Sequence, residues 1–208
     1  MKILKILLKV IIITLIISSY IIAQSKINVN HLLDYGGLKF MPNSDKPFNG
    51  KVFELYDNGR KHWEKRYIKG IAFGYYRSWY KNGQLEFKGQ LKQGHKSGLF
   101  TSYNEGGKKI KESHYKADIL HGPFVLWFTN GKKNIECSYQ NGNLNMKYTS
   151  WYENGHMLES TTYDNGKLIG SFTYWYENSN TKGEGTYVHG SLDGKYSAWT
   201  AEGNKFEE

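Results

Sequence analysis

Apolar and polar positions along this chain fall into columns that recur every 24 residues over most of its length. Glycine opens each unit at Gly50, Gly74, Gly98, Gly122, Gly170 and Gly194, with Met146 in the same column. Two residues on stand Val52, Tyr76, Phe100, Phe124, Tyr148, Phe172 and Tyr196, and five on stand Leu55, Trp79, Tyr103, Trp127, Trp151, Trp175 and Trp199. A turn glycine follows at Gly59, Gly83, Gly107, Gly131, Gly155 and Gly203, with Ser179 in the remaining unit. A later column is Tyr67, Leu91, Tyr115, Tyr139, Tyr163 and Tyr187, and the residues two before it are mostly small: Lys65, Gly89, Ser113, Cys137, Thr161 and Gly185. Strict self-similarity at this period marks a repeat architecture.

Each unit reads as one β-hairpin. Asn-Gly pairs such as Asn58-Gly59, Asn82-Gly83, Asn130-Gly131 and Asn154-Gly155 lie between runs rich in Tyr, Trp, Phe and Thr. Asn-Gly supplies two positive-φ positions, so a two-residue type I′ turn is expected there. Links such as Gly94-His95-Lys96-Ser97-Gly98 are too short for anything but an antiparallel neighbour. The predicted fold is therefore all-β: an elongated meander of 24-residue hairpin repeats in a single curled antiparallel sheet. Alternation puts the Tyr187-type and Thr161-type columns on one face, where small residues leave room for rings. Adjacent Trp-Tyr pairs resist a flat sheet, because neighbours on a strand face opposite ways. Either both faces are partly covered or one ladder of rings is exposed.

The non-repeating start divides in two. Residues 1–23 combine a basic beginning, an apolar run and a small residue, Ala23, which together describe a secretory signal peptide. The expectation is export to the periplasm, the cell envelope or the medium, the rival reading being an uncleaved N-terminal anchor. Residues 24–48 lack the period and are expected to cap the array, which occupies 49–208 as six full units and a partial seventh.

The pattern Gly…Trp-Tyr-x-Asn-Gly…Glu…Tyr-x-x-Gly, entered through Lys46-Pro47-Phe48-Asn49-Gly50, resembles the MORN repeat variant of bacterial proteins, including the YwqK family of antitoxins. The resemblance covers 49–208 and implies hairpin arrays that act as scaffolds, dimerisation surfaces or membrane-proximal modules. Three positions depart from it: Asp118 and Met146 replace glycines, and Glu177-Asn178-Ser179-Asn180 lacks the turn glycine, where Asn178 or Asn180 could adopt the left-handed conformation instead.

Composition narrows the functional classes. The 208 residues carry a net charge of +9, and without Lys2, Lys5 and Lys9 the balance is 25 basic to 19 acidic. The lone cysteine, Cys137, occupies a small-residue slot and excludes a disulfide framework. None of the seven histidines has metal-ligand spacing, and His95, His121 and His189 fall in or beside the links as solvated turn residues. The acidic column Glu64, Glu112, Glu136, Glu184 and Glu208 is periodic, which suits surface pairing with cross-strand partners such as Lys65, Lys109 or Lys132 rather than catalysis. No catalytic residue, cofactor or metal is expected.

Two features remain for binding. The ladder Trp79, Trp127, Trp151, Trp175 and Trp199 suits a protein interface, since Trp is favoured at interface hot spots. The turn-tip residues Arg60, Lys61, Lys108, Lys109, Lys132 and Lys133 form a basic rim suited to anionic lipid or polysaccharide. Core packing and solvated turns are the structural readings of these same residues. A nucleic-acid partner is set aside because of the export signal. The sequence thus predicts a non-catalytic exported scaffold that binds another macromolecule, with a protein (antitoxin-like or immunity-like by resemblance) first. An envelope module that contacts anionic lipid or polysaccharide is the alternative.

Overall fold

The computed structural model describes residues 26–207, so the signal-peptide segment lies outside the described residues. The chain divides into two compact units: residues up to Gly83 with Leu91–Gly94, and Gln84–Gln90 with the chain from His95 onward. The first contains β1 (Lys26–Asn28), a 3-10 turn (Val29–His31), β2 (Leu33–Tyr35), β3 (Leu38–Phe40), β4 (Gly50–Leu55), β5 (Lys61–Ile68) and β6 (Ile71–Trp79). Next comes β7 (Leu85–Lys92), whose last two residues belong to the first unit. The second unit continues with β8 (His95–Tyr103), β9 (Lys109–Lys116), β10 (Ile119–Trp127), β11 (Lys133–Gln140), β12 (Asn143–Leu144) and β13 (Met146–Trp151). It ends with β14 (Met157–Asp164), β15 (Lys167–Trp175), β16 (Thr181–Val188), β17 (Ser191–Leu192), β18 (Ser197–Trp199) and β19 (Lys205–Glu207). Within each unit the repeat region is an antiparallel meander of consecutive hairpins, as the period predicts. Ahead of the first repeat, β1 runs parallel to β4, with Ile27 opposite Val52. β2 and β3 form a small hairpin, tied on by Lys39 N–H donating to Gly70 O at 3.0 Å.

The turns differ from expectation, and the difference sets the register. Two-residue type I′ turns occur not at Asn-Gly but at the joints between repeats. At Lys69-Gly70 both φ angles are positive, 49° and 76°, and Ile68 pairs with Ile71 across the turn. Five further joints share this backbone, from Gln93-Gly94 to His189-Gly190, with Ala117-Asp118 among them. The residues after the turn glycine are therefore strand residues, and His95 opens β8 instead of sitting in a loop. At the Asn-Gly turns only the second residue has positive φ. Gly59 N–H donates to Tyr56 O at 2.9 Å and Tyr56 N–H to Arg60 O at 2.8 Å, and the ladder slips between Glu54 and Leu55. That is a tight turn closed by a left-handed glycine and a bulge. Asn58 stabilises it by accepting from Arg60 N–H at 3.1 Å, a bond the asparagine makes without leaving ordinary φ. In the unit without a turn glycine, Ser179 itself takes φ +73°, not either flanking asparagine. From Gly74 onward the opening position of each repeat is a third positive-φ site, and Met146 adopts φ +70° there.

The ring and small-residue columns pack as read. Phe100 faces Ser113, Phe124 faces Cys137, Tyr148 faces Thr161 and Phe172 faces Gly185. Each ring then meets the tyrosine of the next column, Phe100–Tyr115 at 5.4 Å and Phe124–Tyr139 at 5.5 Å, both edge to face. Such pairs add about 0.5–1.5 kcal/mol to the burial of each ring. A Cβ on Gly89 would lie 2.4 Å from the Phe100 ring, so the small column is a steric requirement.

Candidate binding surface

Within each unit the Asn-Gly turns of neighbouring repeats stack, and side chains bind one turn to the next. Asn58, Asn130, Asn154 and Asn178 donate from Nδ2 to the carbonyls of Lys81, Glu153, Glu177 and Ala201, each 23 residues further on. The tyrosine beside the turn does the same: Tyr56, Tyr152 and Tyr176 hydroxyls donate to Trp79, Trp175 and Trp199 carbonyls at 2.8–2.9 Å. These contacts give partners to backbone carbonyls in and beside the turns.

The basic tips belong to the same lattice. Arg60 Nη1 donates to Lys81 O and Asn82 O, Lys108 Nζ to Thr129 O at 3.0 Å, and Lys132 Nζ to Asn154 O. The second basic residue of each pair reaches along its own strand. Lys61, Lys109 and Lys133 bind Glu64, Glu112 and Glu136 on their own strands at 2.7, 2.9 and 2.8 Å. Glu64, Glu112 and Glu136 of the acidic column thus pair with the lysine three residues before them on the same strand. The same three ammonium groups lie over tryptophans of the next repeat: Lys61 over Trp79 at 5.1 Å, Lys109 over Trp127 at 4.1 Å and Lys133 over Trp151 at 5.7 Å. All six basic residues singled out in the sequence thus have partners inside the molecule.

The five tryptophans are half-buried, neither sealed in a core nor standing free. Lys205 lies over Trp199 at 5.7 Å. Between two successive turns, Lys132, Lys133, Trp151, Asn154, Gly155 and His156 line a groove of about 400 Å³. It places an indole, two ammonium groups and an imidazole side by side, and His156 donates from Nδ1 to Glu177 O at 2.7 Å. A second, more apolar hollow of about 410 Å³ is lined by Leu33, Tyr35, Phe40, Ser44 and Asp45.

Sequence reasoning missed two constellations. Glu54 Oε2 holds both His62 Nδ1 at 2.6 Å and Trp63 Nε1 at 2.7 Å, and His62 lies on the Tyr56 ring at 4.4 Å. Asp118 takes a joint position normally held by glycine and clasps β8: its Oδ1 accepts from Lys96 N–H at 2.7 Å and its Oδ2 lies 2.6 Å from His95 Nδ1. The backbone N–H of Lys96, followed by His95, holds the Asp118 carboxyl below the usual range. Neither is visible in a single column, since each joins residues from different strands. Among the described residues no three His, Cys, Asp or Glu side chains converge as a metal site, and Cys137 is buried.

The family profile described as the MORN repeat variant matches residues 74–93, 96–117, 120–141 and 144–165. Residues 74–165 are a run of MORN repeats. Each match after the first spans one hairpin from the strand after a type I′ joint to the first residue of the next joint, so the matched unit is the bulged Asn-Gly hairpin described above. MORN repeats are in general binding modules for proteins or lipids and not catalytic ones. No curated protein matches the chain.

Proposed function

We propose that this protein is an exported, non-catalytic MORN scaffold that binds a protein partner along the stacked Asn-Gly turns, in the manner of an antitoxin or immunity protein. The observation that carries the reading is how the turn edge uses its charge. Arg60, Lys108 and Lys132 direct donors at neighbouring turn carbonyls, while Lys61, Lys109 and Lys133 are paired with glutamates. What such an edge offers is half-buried indole with a rim of satisfied polar groups, which is the anatomy of a protein hot spot. Export rests on the character of residues 1–23.

The test is affinity capture of the processed protein from its own cell envelope, followed by identification and reconstitution of the captured protein. Trp127→Ala and Trp151→Ala, checked for retained thermal unfolding, should each weaken the reconstituted complex at least about tenfold. Unchanged affinity in both folded variants would sink the reading.

The groove at Lys132, Lys133, Trp151 and His156 favours a second reading, contact with anionic lipid or polysaccharide, because ammonium groups and an indole face share one wall. Binding to anionic vesicles that falls with salt and is lost when Lys108, Lys109, Lys132 and Lys133 are changed to Glu would select it.

A further inference from the structure

Across the strands of this protein, lysines lie over ring after ring. Lys65 covers Trp63 and Tyr76, Lys96 covers Phe100 and Tyr115, and Lys182 covers Tyr176, beside the Trp contacts already described. Other rings have no such cation, and three of them, all tyrosines, share a carboxylate. Tyr148 on β13, Tyr163 on β14 and Tyr174 on β15 are half-buried, and among the described residues no lysine or arginine lies over any of them. In their midst stands a carboxylate, Glu159. It is directly opposite Ser150 on one side and Tyr174 on the other, with Thr161 and Tyr163 following on the same face of its own strand. Tyr148 is opposite Thr161, and its ring meets Tyr163 edge to face at 6.0 Å.

Glu159 is half-buried and has no ion pair among the described residues, and its hydrogen-bond partner is Thr161 Oγ1 at a long 3.4 Å. Burial raises its pKa, and burial followed by the charge of this carboxylate raises those of Tyr148, Tyr163 and Tyr174. A desolvated carboxylate with one weak hydrogen bond is costly, and proteins ordinarily pair such a group.

The repeat supplies an internal comparison. Four repeats earlier a related arrangement carries its own cation, with carboxylate and ring exchanged between the two strands. There Glu54 and Trp63 face each other, as Ser150 and Glu159 do, and Lys65 stands where Thr161 stands. The ammonium of Lys65 lies 4.7 Å from the Trp63 ring centroid and 4.3 Å from that of Tyr76, and Glu54 attracts it. At Glu159 a carboxylate and rings are again neighbours, and among the described residues no cation accompanies them. Rings and a carboxylate together recognise organic cations, the carboxylate through charge and the ring faces through their quadrupoles.

We propose that Glu159, with Tyr148, Tyr163 and Tyr174, forms a site for an organic cation: an alkylammonium or guanidinium head group borne by a small molecule or by a basic side chain of a polypeptide. The proposal does not depend on the turn-edge reading above, since it concerns other residues.

The test is calorimetric titration of the full chain with tetramethylammonium, with free arginine and with a short lysine-rich peptide, sodium chloride at equal ionic strength being the blank. Saturable binding of at least one probe is expected, weakened about tenfold or more by Glu159→Gln, a loss of roughly 1.4 kcal/mol. Tyr174→Phe keeps a ring and should retain affinity, whereas Tyr174→Leu should lose it. Equal affinity for free ion and peptide identifies a small-molecule site, and much tighter peptide binding identifies a polypeptide source. No saturable binding by any probe overturns the proposal, as does binding that Glu159→Gln leaves intact. Because Glu159→Gln removes an uncompensated charge, it is expected to fold at least as well as the parent, and a thermal melt checks that.

Discussion

Met146 offers the sharpest test of the backbone account. It occupies the opening position of its repeat with φ +70°, a conformation that costs a side-chain-bearing residue about 1–2 kcal/mol. Its side chain is 66% exposed, so truncation sacrifices little packing. Met146→Ala removes the side chain and keeps the strain. Met146→Gly removes the strain too, at the cost of about 0.5–1 kcal/mol of extra freedom in the unfolded chain. The glycine variant should therefore exceed the alanine variant by roughly 0.5–1 kcal/mol, the reverse of the order at an ordinary strand site. Lys147, next along the same strand and exposed, provides that ordinary site, where Ala should exceed Gly. Denaturant midpoints of the four variants give the comparison. Amide exchange over β13 and β14 shows whether the gain is local, as nearest-neighbour coupling in a repeat array predicts. If alanine equals or exceeds glycine at Met146, the left-handed strain assigned to this position is wrong.

Gly89→Ala should cost about 1–3 kcal/mol, because the new methyl meets the Phe100 ring at 2.4 Å, and Phe100→Leu in the same chain should recover part of that in a thermal melt. Asp118 has a folded-state pKa below its unfolded value, so its contribution is fully present above the ordinary carboxylate range and is lost as pH falls through the lowered value. The stability difference between the parent and Asp118→Asn, followed by denaturation from pH 7 to pH 2, should accordingly shrink toward the acid end, and a constant difference would contradict the clasp. Cys137 is buried, with its thiol pushed up to about 11, so iodoacetamide at pH 8 should modify it slowly in the folded protein and rapidly in urea. Comparable rates in the two states would mean that the β11 face opens readily.

The sequence by itself determined the period, the hairpin and the pairing of rings with small residues. Those follow from local preference and from alternation along a strand, which act within one 24-residue unit, and Phe100 over Ser113 needed nothing more. It misplaced the type I′ turns, because Asn58-Gly59 and Lys69-Gly70 are both plausible hairpin closures and only the strand register distinguishes them. Once a bulge moves the register by one residue, every facing side chain changes. Tertiary structure therefore decided which groups meet. Arg60 spends its charge on carbonyls 21 and 22 residues ahead, Lys61 divides itself between Glu64 and Trp79, and Glu159 is left among tyrosines with no cation among the described residues. A column can say that a lysine or a glutamate recurs. Only the stacking of one repeat on the next, fixed by bulges and turn hydrogen bonds, says which of them is already partnered and which is not.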